Sequence, residues 1–288
     1  MIIDMSNKKR SQETLEKITG ISIDRINEYK NKCDKIRNFY NDYHYNNIYY
    51  FLECFPEVNL DNISLENMKI KGFHCTTSSE CCKDIKKNGL MGMKDTLEKD
   101  TELKRFLKEN GIEINTKDMS ILFNEEKKAI TSNSLLHRIN RDSEVNVFFR
   151  KEGYKEYSCI SLYPEILLAI ESELNLEQKL AIKWEYIENK KTYLISTIVP
   201  IEKFVAINLL SGKDEENIEL IEEIKKYTYF DELKGNKYLE DYIKKGILEK
   251  LIYASYEKDD YRYPPLLGFI DEYQGVSTEE IEYIEEIK

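Results

Sequence analysis

Histidine is nearly absent from this chain: His44, His74 and His137 are the whole complement in 288 residues. They are scattered and accompany no Cys-x-x-Cys pair, which argues against a structural zinc site. The 6 cysteines are Cys33, Cys54, Cys75, Cys81, Cys82 and Cys159. The adjacent Cys81 and Cys82 suit no disulfide framework, so reduced thiols and a cytoplasmic location are expected. Glycine numbers only 11, and neither a phosphate-cradling loop, a dinucleotide fingerprint nor a Gly-x-Ser-x-Gly elbow occurs. No apolar run approaches the roughly 18 residues of a membrane span. The opening MIIDMSNKKRSQE has no long apolar core, so no secretory signal is expected. Basic charge is also in deficit, with a net charge of −11. That sign disfavours non-specific nucleic-acid binding and anionic membrane surfaces.

What is present describes a globular protein of one large or two small domains, with 41% hydrophobic and 34% charged residues. Residues up to Met68 read as helical. Ile26, Tyr29, Cys33, Ile36, Phe39, Tyr40 and Tyr43 fall on one helical stripe, with Ser22 placed to cap it. A short helix from Tyr49 to Phe55 stops near Pro56. The aromatic group from Tyr40 to Phe51 is either a binding face or, the simpler expectation, packing for the following domain.

Farther along, Met91–Ile130 reads as mainly helical and polar, with Leu97, Leu103, Phe106 and Leu107 as core candidates. Strands are expected at Val145–Phe149, Tyr157–Leu162, Tyr193–Val199 and Phe204–Asn208. Helices are expected after Pro164, over Asp214–Tyr227 and over Lys237–Tyr253. Ser255–Pro265 reads as a loop. Leu266–Ile270 is a further apolar run.

The most informative stretch is KGFHCTTSSECCKDIKKNGLMGM, Lys71 to Met93. A short apolar lead-in ends on His74, and Thr76 follows. Thr77 and Glu80 have the spacing of a capping box, which predicts a helix with Cys81, Cys82 and Ile85 inward. Gly89 supplies its left-handed exit, and Leu90 follows. This order resembles the first motif of the ADP-ribosyltransferase superfamily, of the His-Tyr-Glu type found in bacterial mono-ADP-ribosyltransferase toxins. The corresponding residues are His74, Thr76, Ile85, Gly89 and Leu90.

The resemblance implies NAD as co-substrate. In such families the histidine bonds a ribose hydroxyl, which assigns His74 to NAD binding and Thr76 to ribose contact or motif geometry. A neutral imidazole offers one donor and one acceptor, which suits a hydroxyl. Losing nicotinamide leaves an oxocarbenium-like ribose, so a carboxylate that stabilises developing charge supplies rate. The family places this glutamate late in the chain. Glu272 is the first candidate, with Glu257, Glu279 and Glu280 as alternatives, the last two reading as surface positions of a terminal turn. The isoleucines of the tail, Ile281, Ile284 and Ile287, are expected to dock from that turn onto the sheet. A tyrosine stacks on nicotinamide in the family. Tyr163 is nominated, with Tyr157 and Tyr154 in reserve. Arg150 either contacts pyrophosphate through its bidentate fork or is an exposed arginine at a strand edge. Cys75 is no partner for His74, because neighbours on a strand face opposite ways.

The fold so implied is α+β: a split, mostly antiparallel sheet forming an NAD cleft, flanked by helices, with an N-terminal helical extension. Residues 1–68 would be the extension, and 69–288 the transferase-like domain with helical insertions. The implied activity is NAD-dependent mono-ADP-ribosylation of a macromolecular acceptor. The acidic charge favours protein over nucleic acid. A toxin or phage-defence role, an antitoxin or other regulator as partner, and no membrane association complete the expectation. An NAD glycohydrolase and a catalytically inactive NAD- or ADP-ribose-binding module are the alternatives.

Overall fold

In this computed structural model the described residues are 1–40, 48–140, 145–156, 163–177, 179–207, 237–256, 267–270 and 274–287. The helices are α1 (Lys8–Thr19), α2 (Ile23–Tyr40), α3 (Ile48–Cys54), α4 (Lys83–Asn88) and α5 (Met93–Glu98). There follow α6 (Glu102–Glu109), α7 (Asn133–Asn140), α8 (Ile166–Leu174), α9 (Lys179–Glu185) and α10 (Lys237–Tyr256). The strands are β1 (Ile2–Ile3), β2 (Lys69–Ser78), β3 (Ile112–Asn115), β4 (Ser120–Phe123) and β5 (Glu126–Ala129). They continue with β6 (Val145–Phe148), β7 (Lys191–Pro200), β8 (Phe204–Ile207), β9 (Leu267–Ile270) and β10 (Ile281–Ile287). The chain is thus mixed helix and sheet, with mostly antiparallel sheets. Strand neighbours in the larger sheet follow the order β10-β7-β2-β6-β9-β8, with β1 on β2. The expected Asp214–Tyr227 helix and Tyr157–Leu162 strand lie outside the described residues.

The chain divides into two compact units. The first comprises Met1–Gly72, Phe148–Glu152 and Val199–Gly268. Here β1 runs parallel to the start of β2, pairing Ile2 with Lys69 and Ile3 with Ile70. Asn7 caps α1 by accepting from the Arg10 amide, and Gly20, at φ 73°, ends it by donating to the Glu16 carbonyl. Helix α10 packs on α1 and α3, burying Ile247, Leu248, Leu251 and Ile252. Tyr29 meets Phe51 edge-on at 5.4 Å between ring centroids, and Phe51 meets Phe55 at 4.8 Å. The described part of the aromatic group is therefore packing for its own unit, while Tyr49 is exposed. Gly268 admits no side chain: a Cβ there would lie 2.6 Å from both the Phe149 and Phe204 rings.

The second unit comprises Phe73–Val147, Gly153–Ile198 and Phe269–Lys288. Its core joins Leu97, Leu103, Phe106 and Leu107, as expected, to Leu135, Ile139, Ile166, Ile170 and Trp184. The stretch expected to be helical through Ile130 contains α5 and α6 but then turns into an antiparallel meander, β3-β4-β5. Turn chemistry overrides the helix-favouring Glu and Lys content. The Asn115 side chain accepts from the Lys117 amide at 2.9 Å, an Asx turn. Asn124 and Glu125 take φ of 50° and 69°, the two left-handed positions of a two-residue hairpin.

Trp184, the sole tryptophan, ties the helical core to the sheet. It is 2% exposed, stands perpendicular to Phe106 at 5.0 Å, and donates from Nε1 to the Thr77 Oγ1 at 2.9 Å. We predict that Trp184→Phe, which removes the donor and leaves Thr77 buried, costs about 1–3 kcal/mol. Urea unfolding followed by far-ultraviolet circular dichroism measures it, and an unchanged midpoint would show that the bond contributes nothing.

Candidate functional site

The site is built on β2. Side chains alternate along a strand, so His74, Thr76 and Ser78 share one face and Phe73, Cys75 and Thr77 the other. His74 and Thr76 are part-buried. The His74 Nδ1 lies 2.8 Å from the Asn146 carbonyl on β6. A carbonyl only accepts, so Nδ1 carries the proton and Nε2 of the neutral ring is left as an acceptor. Burial holds the His74 pKa below its ordinary 6.5, against the opposing pull of that carbonyl. The ring therefore favours its neutral form. Burial pushes the Cys75 thiol up to about 11, so it stays protonated near neutral pH and is no nucleophile.

The passage from β2 to α4 differs from the expected capping box. Thr77 is inside the strand, where its hydroxyl is occupied by Trp184. Capping shifts one residue on: Ser78 Oγ accepts from the Glu80 amide at 3.1 Å and the Cys82 amide at 3.0 Å. Glu80 turns outward to Arg105, 2.8 Å away. Cys81 and Cys82 then both take left-handed φ, 55° and 56°, and α4 starts only at Lys83 with no side-chain cap. Cys82 is buried, as expected, whereas Cys81 is exposed.

Gly89 ends α4 at φ 79°, and its lack of a side chain is essential. A Cβ there would lie 2.0 Å from the Val276 carbonyl oxygen, and one on Gly275 would lie 2.5 Å from the Leu90 oxygen. This approach lets Leu90 and Val276 exchange two backbone hydrogen bonds, each 2.9 Å. Beyond Val276, Ser277 and Glu280 form a reciprocal capping box on a short 3-10 turn. The tail then departs from expectation. Ile281–Ile287 is not a docked turn but the strand β10, antiparallel to β7, from Ile281 opposite Thr197 to Ile287 opposite Thr192. The register shifts between Ile281 and Tyr283 and is regular from there to Ile287, so Ile284 and Ile287 face opposite sides of β10.

Glu272, Glu257 and Tyr157 lie outside the described residues. Glu279 is exposed, and the Glu280 carboxylate accepts from the Ser277 amide at 2.8 Å. Tyr163 is part-buried against the helical core of the second unit. Tyr154 belongs to a 3-10 turn, Gly153–Glu156. Arg150 follows β6 and belongs to the first unit. The residues that the structure brings together are thus His74 and Thr76 on one strand face, and Gly89-Leu90 against Gly275-Val276. Sequence reasoning missed the buried Glu102 beside Ser78 and the Trp184–Thr77 bond; the only local signal was an acid following the capping Thr101 of α6. Among the described residues no cluster of three or more His, Cys, Asp or Glu could hold a metal, and no helix is long and apolar enough to cross a membrane. No protein-family profile, curated protein or solved structure matches the chain.

Two outcomes follow from this geometry. Gly89→Ala would cost about 2 kcal/mol or more from backbone strain alone, before the contact with Val276 is counted; a urea midpoint equal to wild type would contradict the close approach. For His74, a folded pKa below the unfolded value means the native state binds fewer protons as pH falls through 6.5. Its contribution is fully present above 6.5 and is lost as pH drops through the folded pKa. The stability difference between wild type and His74→Gln should therefore shift against wild type on acidification from pH 7.5 to 5.5. A difference that stays constant across that range would remove the inference.

Proposed function

We propose that the chain is an NAD-dependent mono-ADP-ribosyltransferase acting on a macromolecular acceptor, with protein favoured by the net charge of −11. The observation that carries this reading is the Leu90–Val276 pairing. It joins the end of the His74 motif to the segment immediately after Glu272. Two stretches about 180 residues apart by number, both part of the resemblance, are thus hydrogen-bonded to each other. The His74 tautomer adds support, since a neutral ring with a free acceptor suits a ribose hydroxyl and adds no cation beside a bond that becomes cationic as it breaks.

In this reading His74 and Thr76 bind the nicotinamide riboside, and Glu272 is the anion that stabilises the oxocarbenium-like ribose. Tyr163 stacks on nicotinamide. The sheet forms the NAD cleft. A cytoplasmic toxin or phage-defence effector held in check by an antitoxin or other regulator is the setting this implies.

The deciding experiment incubates the pure chain with labelled NAD and candidate acceptors. Label on an acceptor supports transfer. Free nicotinamide without acceptor label points instead to a glycohydrolase, and NAD binding without turnover to an inactive binding module. We expect Glu272→Gln to lower turnover by about 100-fold or more while NAD affinity is retained. Full turnover in that variant would remove the assignment, and wild-type protein that neither binds nor splits NAD would remove the function.

A further inference from the structure

We propose that Glu102 is a positioning residue of the NAD site, fixing the end of β2 so that Thr76 and His74 hold their places along the strand. The inference rests on the NAD reading above. Glu102 opens α6 and is 8% exposed, yet its carboxylate serves the strand rather than its own helix. One oxygen accepts from Ser78 Oγ at 2.6 Å. The other accepts from the Ser79 amide at 2.8 Å and the Ser79 hydroxyl at 2.7 Å. Ser78 is the next residue after Thr76 on the face that carries His74. On the opposite face, between Thr76 and Ser78, Thr77 is held by Trp184. The strand is therefore gripped from both faces immediately beyond the candidate ligand residues.

The chemistry calls for a carboxylate. An amide has one accepting oxygen and could not hold Ser78 and Ser79 together. A buried carboxylate is costly unless well bonded, so its presence here marks a place where geometry is enforced. Burial pulls the Lys190 ammonium down to about 8, against the opposing negative charges of Glu185 and Glu102. The Glu102 amide in turn donates to Asp84 of α4 at 3.3 Å, so the same residue braces the helix that leads to Gly89.

Glu173, a part-buried carboxylate that also accepts from neighbouring hydroxyl and amide groups, offers a control. On α8 in the same unit, its carboxylate accepts from the Thr131 amide and hydroxyl, each at 3.1 Å, and from the Ser132 amide at 2.7 Å. Its donors belong to the start of α7 and not to β2. NAD affinity by calorimetry and the melting temperature are measured on the full chain for wild type, Glu102→Gln, Ser78→Ala and Glu173→Gln. Glu102→Gln should weaken NAD binding about tenfold or more, the scale of one lost charge-assisted bond. Glu173→Gln should lower the melting temperature yet bind NAD as wild type does. Ser78→Ala, a smaller lesion, should weaken binding in the same direction and serves if Glu102→Gln does not fold. Unchanged affinity in both Glu102→Gln and Ser78→Ala, or equal weakening in Glu173→Gln, overturns the positioning role alone. A wild-type chain that binds no NAD overturns both this role and the function it serves.

Discussion

Two backbones approach each other at Gly89-Leu90 and Gly275-Val276 more closely than any side-chain-bearing residue would allow. Everything proposed for the site depends on that contact. A Cβ on Gly89 would sit 2.0 Å from a carbonyl oxygen, well inside van der Waals range, so glycine is a steric requirement there and not a matter of turn preference alone. The two hydrogen bonds that result satisfy groups that would otherwise be buried unpaired, which makes the junction strongly specified. Because α4 is only six residues long, little separates this junction from the strand carrying His74 and Thr76.

Around the junction, polar side chains do the fixing that secondary structure does elsewhere. Thr77 is bonded by an indole, Ser78 and Ser79 by a carboxylate, and His74 by a backbone carbonyl. Four of six consecutive residues in the strand end are thus constrained through their side chains or the adjoining amide. Satisfied buried polar networks of this kind specify one arrangement, because breaking any member leaves its partner desolvated.

Much of this was legible in the sequence where local and tertiary preferences agree. The β-rich run around Tyr193–Val199 is a strand, Lys237–Tyr253 lies within a helix, and Gly89 takes the positive φ expected of it. The core positions Leu97, Leu103, Phe106 and Leu107 follow from helical spacing. What could not be read depended on distant partners. Thr77 has the spacing of a cap, but Trp184, more than one hundred residues away by number, takes its hydroxyl. The meander from Ile112 to Ala129 hides its turns in Asn115 and Asn124, without the Asn-Gly signal that advertises a hairpin. The tail places Ile281, Ile284 and Ile287 at helical spacing, and only pairing with β7 reveals a strand. Glu102 carried no mark of burial, because its worth comes from serines on another element.

The acceptor that orders the His74 ring is a main-chain oxygen, not a side chain. Every residue type, proline included, keeps a main-chain carbonyl, so no substitution at position 146 deletes that oxygen and the imidazole's proton assignment is insulated from side-chain mutation at its partner. Drift can replace the Asn146 amide group freely, while the orientation of the ring is inherited from the path of the chain itself.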